Sequence, residues 1–301
     1  MGRITTTHEL GRHIEVRHGD LVLFRYVYAT ESAQVESPRP CFHPLRTLAG
    51  DTVTIFRPHD HRWHHGLSMT WANLSDENFW GGPTYVDGRG YVQLDNNGRM
   101  DHEAWECVDP AGGRPRLVER LAWITQAGDR WLEERRTIEL GAVDAGGGHW
   151  ALRLGFQLRN VSGRRLALGS PTTAGRPLAG YGGLFWRGPR SFLGGTIQAA
   201  GGGEGEGVMG TAAAWLAFTG RHDGCDRAST VVFVDHPENP RHPTRWFVRS
   251  EPYACVSCAL TFDEVYALAP GDDLTLRYLV IVGTGAWSRE RIAAIAERPH
   301  G

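Results

Sequence analysis

The 301-residue chain contains no lysine; all 32 of its basic residues are arginine. A Schiff base with pyridoxal phosphate or with a carbonyl substrate needs a lysine amine, so that chemistry is excluded. A Walker-type phosphate loop is excluded with it, because its Lys is the group that reaches the phosphates. An excess of one charge is also lacking. Against 34 acidic residues the formal net charge is −2, which gives nucleic acid or an anionic membrane no electrostatic footing. Long apolar runs are missing too. The best candidate, around Tyr278 to Val282, is strand-sized and far short of the roughly 20 residues that cross a bilayer. The opening Met1-Gly2-Arg3-Ile4-Thr5 has no apolar segment of the kind that marks a signal peptide. Cysteine is sparse: Cys41, Cys107, Cys225, Cys255 and Cys258 form an odd, scattered set. The last two have C-x-x-C spacing without a second pair to complete a zinc site. They lie in an alternating stretch from Tyr253 to Leu260, where strand packing is the simpler account. A reduced, cytoplasmic protein is expected.

What is present is a period of two. Trp150, Leu152, Leu154, Phe156 and Leu158 share one face of a segment whose other face carries Arg153, Gln157 and Arg159. That is the pattern of a strand with one dry side. Asn160-Val161-Ser162-Gly163 then reads as a turn into a strand over Arg165–Leu168. Strand–turn–strand signals also appear at Ile14–Val16 with Leu21–Tyr28, and at Leu117–Thr125 with Trp131–Leu140. Further strands are expected over Thr230–Val234 and Leu274–Val282. Only one helix is expected, Ser288 to Glu297, with Ser288 as N-cap and Glu290 in its first turn. With 39 glycines and 16 prolines, this predicts an all-β fold, an antiparallel β-sandwich with a short C-terminal helix. No linker stands out, so residues 1–301 are taken as one domain. Ala145–Gly148 reads as a hairpin loop, and the glycine-rich Ala199–Gly207 as a mobile loop over a surface or site.

Four of the 14 histidines fall in Arg57-Pro58-His59-Asp60-His61-Arg62-Trp63-His64-His65-Gly66. Packing alone explains so many imidazoles poorly, since buried rings need partners and adjacent cations repel. Three chemistries suit the segment. His61 with His64 or His65 could bind a divalent metal, Asp60 assisting. One His oriented by Asp60 could move protons. Or the rings could simply bond to backbone. Two aromatic-glycine segments follow, Asn78-Phe79-Trp80-Gly81-Gly82 and Tyr181-Gly182-Gly183-Leu184-Phe185-Trp186-Arg187. Either could present a platform for a sugar ring or a strand beneath a cleft, though large aromatics in β-proteins are usually core residues. The third polar cluster runs from Asp235-His236-Pro237-Glu238-Asn239 to Trp246. It suits either a site at a strand end or a stiff connection between strands.

The His59–Gly66 segment followed by Asn78-Phe79-Trp80-Gly81 resembles the PmoA-like family of soluble bacterial proteins, whose name is inherited from methane oxygenase. Asp235-His236-Pro237-Glu238-Asn239 and Pro243-Thr244-Arg245-Trp246-Phe247-Val248-Arg249 resemble that family's second signature. The likeness runs from about Cys41 to about Gly285. It implies a supersandwich similar in outline to galactose mutarotase and a link to sugar catabolism. It points to Asp60, His61, His64, Gly66, Phe79, Trp80, His236, Asn239 and Trp246.

The expected function is therefore a carbohydrate-active enzyme, of epimerase, lyase or hydrolase type, acting on a monosaccharide, glycoside or oxidised sugar. His61, His64, His236 and Asp60 would be its acid–base groups. Substrate contacts would come from Arg57, His59, His65, Asn78, Trp80, Arg187, Asn239 and Trp246. No cofactor is expected. The alternatives are a metal-dependent oxygenase or hydrolase using His61, His64 and His65, and a non-catalytic sugar-binding module. The expected partner is a small-molecule carbohydrate, not nucleic acid or membrane, with self-association into a homo-oligomer left open.

Overall fold

The computed structural model describes residues 2–110 and 113–298. With strands numbered along the chain, the first eight-stranded sheet begins with β1 (Ile4–Glu9), β2 (His13–His18), β3 (Leu21–Val27) and β4 (Cys41–Leu45). It continues through β5 (Leu67–Thr70), β14 (Gly183–Arg187), β19 (Cys255–Cys258) and β18 (Trp246–Arg249). The second begins with β15 (Thr196–Ala199), β16 (Trp215–Arg221), β17 (Ala228–Asp235) and β21 (Asp273–Thr284). It ends with β12 (His149–Asn160), β11 (Arg130–Asp144), β10 (Arg116–Ile124) and β9 (Arg99–Asp109). A small sheet of β20 (Tyr266–Leu268), β13 (Leu166–Gly169) and β6 (Asn73–Leu74), and a hairpin of β7 (Thr84–Val86) and β8 (Gly90–Val92), complete it. The pairing is antiparallel throughout these sheets. The fold is the antiparallel sandwich expected from the alternating sequence.

Alternation decides which side chains meet between the sheets. On β12 the residues from Trp150 to Leu158 at every second position are buried in the core. Their partners on β21 are Val282, Val280, Tyr278, Leu276 and Leu274, all on the same inner face. Each fully buried Leu or Val contributes about 1.5–3 kcal/mol relative to exposure, so a register slip of one residue would strand the whole face. The turn at Asn160–Gly163 sends the chain into β13, which leaves the main sheet and pairs with β20 and β6.

The first sheet also covers its outer face. Leu184 and Trp186 of β14, Trp246 and Val248 of β18, and Val256 and Cys258 of β19 point inward to the core. Their neighbours Phe185, Phe247 and Cys255 point the other way and join Trp80 and Phe262 in a second buried cluster. Loops from the His59–Gly66 and Asn78–Gly82 segments lie over this face. All five cysteines are free, with Cys255 and Cys258 buried on strand β19.

The terminal helix α1 (Arg289–Ala296) forms as expected, and the Ser288 hydroxyl accepts from the Arg291 N–H. Ile292 and Ile295 pack on Trp215, Leu279 and Ile281, outside the second sheet. The Ala199–Gly207 stretch folds into two short 3-10 turns. Arg289 donates to the Ala199 and Gly203 carbonyls, and Glu206 accepts from Ser250 and Glu251, so the loop is tied down at both ends. Among the described residues no helix is long and apolar enough to cross a membrane.

Candidate active site

Four loops and residues of strands β8, β14, β18 and β19 build a pocket of about 360 Å³ on the outer face of the first sheet. Its floor is Phe185 of β14 with Phe247 and Arg249 of β18; Trp63, Trp80, Tyr181 and Tyr253 form walls, and His61 and His64 face in. Trp80 stacks obliquely on Tyr181 and Phe185, with ring centroids 4.5 and 4.4 Å away.

Arg187, at the end of β14, organises the imidazoles. It is almost fully buried and lies over the Tyr253 ring, 3.9 Å from its centroid. One terminal nitrogen donates to Asp60 Oδ2 at 2.8 Å, and the other approaches His64 Nδ1 at 2.7 Å. A guanidinium has only donors. His64 Nδ1 must therefore carry the lone pair, and the His64 proton sits on Nε2. His61 takes the opposite tautomer. Its Nδ1 lies 3.0 Å from the same Asp60 oxygen. Burial works against ionising Asp60, but the hydrogen bonds from Arg187 and His61 outweigh it and hold the carboxyl well below the usual carboxylate range. An ionised carboxylate only accepts, so Nδ1 of His61 is protonated and its Nε2 is bare.

Both rings stay neutral near pH 7. Burial lowers the His61 pKa below 6.5 and Asp60 only partly offsets it. For His64, burial, seconded by His61 and Arg187, keeps the ring far below that value. The two rings stack, 4.6 Å apart and 16° from parallel. One bare Nε2 and one Nε2–H therefore belong to a single pocket, and among the described residues neither has a protein hydrogen-bond partner.

The other sequence-predicted residues fall into three groups. Trp80 lines this pocket, and Arg187 orders its imidazoles. His65, Arg57 and Asn78 are structural. Arg57 donates to both oxygens of Glu36 at 2.7 Å, and His65 Nε2 lies 3.5 Å from Glu36 Oε2. Burial pushes the His65 pKa down to about 4. Despite its own burial, Glu36 is held to about 2 by His65 and Arg57. Asn78 spends its carbonyl on the N–H groups of Trp80 and Gly81, and its amide on Gly82 and Thr84. No donor or acceptor of it is left for a ligand. His59 is exposed and meets Arg190, which also reaches Asp60.

His236, Asn239 and Trp246 are elsewhere, which corrects the expected convergence. His236 borders a separate groove on the outer face of the second sheet, and its Nδ1 accepts from the Glu238 N–H. Asn239 donates to Asp235 and to the Arg277 carbonyl, and accepts from the Arg277 N–H. Trp246 lies in the inter-sheet core, its Nε1 donating to the Ala213 carbonyl. The Asp235–Trp246 segment is the stiff connection from β17 to β18. The metal alternative fares no better on donor geometry. His64 Nδ1 is taken by Arg187, His65 turns toward Glu36 and Phe56, and the stacked rings of His61 and His64 lie face to face. Among the described residues no group of three or more His, Cys, Asp or Glu side chains could hold a metal ion.

Several contributors had no role assigned from the sequence. Tyr253 stacks edge-on to both His61 and His64. Arg176 and Tyr91 form one rim, with Tyr91 bonded to Tyr181 at 2.7 Å. Arg39 is fully buried without a carboxylate; it donates to the carbonyls of Glu36, Ser37, Trp63 and Trp80. Gly81 and Gly82 have positive φ, and a Cβ on either would fall 2.6 Å from Trp63, so this turn requires glycine.

Similarity to solved structures is distant. The GH36 α-galactosidase AgaA from Geobacillus stearothermophilus is 10% identical over 94% of this chain and 41% of its own, with a TM-score of 0.38. The α-galactosidase from Lactobacillus brevis is 9% identical over 93% and 39%, with a TM-score of 0.39. A putative kojibiose phosphorylase from human microbiome is 9% identical over 97% and 32%, with a TM-score of 0.34. The chain thus spans about two fifths of the galactosidases' length. None of the curated proteins matches it. The family of unknown function DUF6807 matches over residues 13–297, and the chain belongs to that family.

Proposed function

We propose that the protein is a carbohydrate-active enzyme that moves protons on a small sugar by histidine acid–base chemistry. The observation that carries this is the pair of stacked, neutral imidazoles fixed in opposite tautomers by one Arg187–Asp60 contact. His61 Nε2 is the general base, within a dyad in which Asp60 orients the ring. His64 Nε2–H is a neutral donor that stabilises charge developing on a neighbouring oxygen. Aromatic walls suit the C–H face of a sugar ring.

The same pocket favours an isomerase, epimerase or lyase over a hydrolase. Paired-carboxylate glycoside hydrolysis needs two acidic groups flanking the bond. Among the described residues no Asp or Glu lines the pocket, and Asp60 is committed to Arg187, Arg190 and His61.

The test is proton exchange and product formation in D2O, followed by NMR with a panel of neutral aldoses, glycosides and sugar acids. The native protein is expected to turn over at least one of them. His61→Ala and His64→Gln are expected to lower that rate by about 100-fold or more, with the protein still folded by melting. Undiminished turnover in His61→Ala would remove the base from the scheme. Thermal stabilisation by a sugar, with no exchange and no product, would make the protein a binding module instead.

A further inference from the structure

The pocket holds more positive charge than its own chemistry uses. Most arginines around it have carboxylate partners: Arg57 has Glu36, Arg187 and Arg190 share Asp60, and Arg245 has Asp263. Arg176 and Arg249 line the pocket, and among the described residues neither lies within 4 Å of a carboxylate. Glu206 is within electrostatic reach of Arg249, but its Oε1 is occupied by the Ser250 and Glu251 N–H groups. The Nε of Arg249 is buried with no hydrogen-bond partner, and so is that of Arg187. A buried donor left unpaired is costly, and a cation beside it without a counter-charge more so.

These two guanidiniums without a carboxylate lie at the floor and the rim of the same pocket, Arg176 also donating to the Tyr91 hydroxyl, and a line of aromatic rings connects them. Arg249 sits 5.5 Å from the Phe247 ring, and Phe247 packs 5.3 Å from Tyr181. Tyr181 bonds to Tyr91, whose ring lies 4.8 Å beneath Arg176. His61 and His64 line the same pocket, and Arg249 is within electrostatic reach of His61. From this charge arrangement we infer that the substrate is an anionic monosaccharide, a uronate or aldonate, whose carboxylate is held by Arg249 and Arg176. This rests on the acid–base assignment above and names its substrate class.

The planar, forked guanidinium matches a carboxylate bidentately. A carboxylate also acidifies the adjacent C–H, which gives the bare Nε2 of His61 a proton worth taking. A phosphate ester is the less suited anion. Among the described residues no α-helix N-terminus borders the pocket, the helix α1 lying outside the second sheet, and such termini are the usual phosphate cradles.

The experiment is calorimetric titration of the full chain with D-glucuronate, D-galacturonate and D-gluconate. Each is compared with neutral D-glucose or D-galactose and with glucose 6-phosphate. At least one sugar acid is expected to bind 10-fold or more tightly than its neutral parent, with the ratio shrinking as salt rises. Arg249→Gln and Arg176→Gln are expected to cut the ratio below 3, and Arg249→Lys to restore part of it. Melting curves establish that each variant is folded. Equal affinity for neutral and acidic sugars, tighter binding of the phosphate ester, a ratio that survives both Gln substitutions, or no binding of any sugar acid would each overturn the inference. The two assignments separate cleanly. Arginine-dependent binding of sugar acids without proton exchange sinks only the acid–base role. Exchange on neutral sugars, indifferent to both substitutions, sinks only the anionic substrate.

Discussion

His61 and His64 are chemically identical side chains three residues apart, and the groups on their Nδ1 atoms make them different. Arg187 forces a lone pair onto one Nδ1, and the Asp60 carboxylate forces a proton onto the other. Asp60 is also what raises the His61 pKa against burial. Asp60→Asn removes that charge, so the His61 pKa, already below 6.5, is expected to fall further. An NMR titration of the ring protons checks the sign; an unchanged or raised value would mean that the dyad does not control the ring. The same substitution frees the tautomer and is expected to cost about 100-fold in turnover. In the native enzyme the base must be unprotonated. Activity is expected to climb with pH through a value below 6.5 and then level off. Asp60, His61 and His64 could be singled out because so many imidazoles in one segment are hard to explain by packing, whereas Trp80 and Arg187, in glycine-flanked aromatic segments, suited an ordinary packing role equally well. Arg249 and Tyr253 could not be singled out, because one arginine in an alternating strand and one tyrosine after a proline carry no local signal.

At the level of elements, the long strands were readable and the loops were not. The strand β12 announces its inner face through five large apolar residues at a spacing of two. In Trp246-Phe247-Val248-Arg249 each face of so short a strand carries a large aromatic, so alternation alone does not say that Trp246 goes to the core and Phe247 to the site. The Asp235–Asn239 cluster resembles the His59–His65 segment in composition, and only topology sends it to the far sheet. What holds the covering loops is equally non-local. Arg39 gathers four backbone carbonyls from three loop segments into one buried guanidinium, and burial lowers its pKa to about 10. Arg39→Leu leaves those acceptors unpaired and is expected to destabilise the protein by roughly 3 kcal/mol or more. It should also weaken sugar binding, since Trp63 and Trp80 lose their anchor. Arg116→Leu, at a surface pair with Glu139, is expected to cost no more than about 1 kcal/mol. Urea denaturation of both variants decides it; equal losses would mean that Arg39 is not a tie point.

Over the whole molecule, the burial of histidine sets an acid limit to the fold. Burial lowers the pKa of His43 and His65 to about 4 each, and that of His64 well below 6.5. In the unfolded chain each returns to about 6.5, so below that pH the unfolded state binds more protons than the folded one. Stability is therefore fully present above pH 6.5 and is lost as pH falls toward 4. The His65 shift alone is worth on the order of 3 kcal/mol across that window. Glu36, held at about 2, adds a second loss of the same sign below its usual 4.5. Most domains have a total stability of about 5–15 kcal/mol, so three such rings are enough to dominate the acid side of the curve. Denaturation at pH 7, 5.5 and 4.5 is expected to show a steep fall, and His65→Gln a shallower one because one titrating ring is gone. A flat profile, or equal slopes in the two proteins, would mean that the rings gain protons inside the fold. The loops over the pocket would then be open to water, and the neutral, tautomer-fixed pair on which the proposed chemistry depends could not persist.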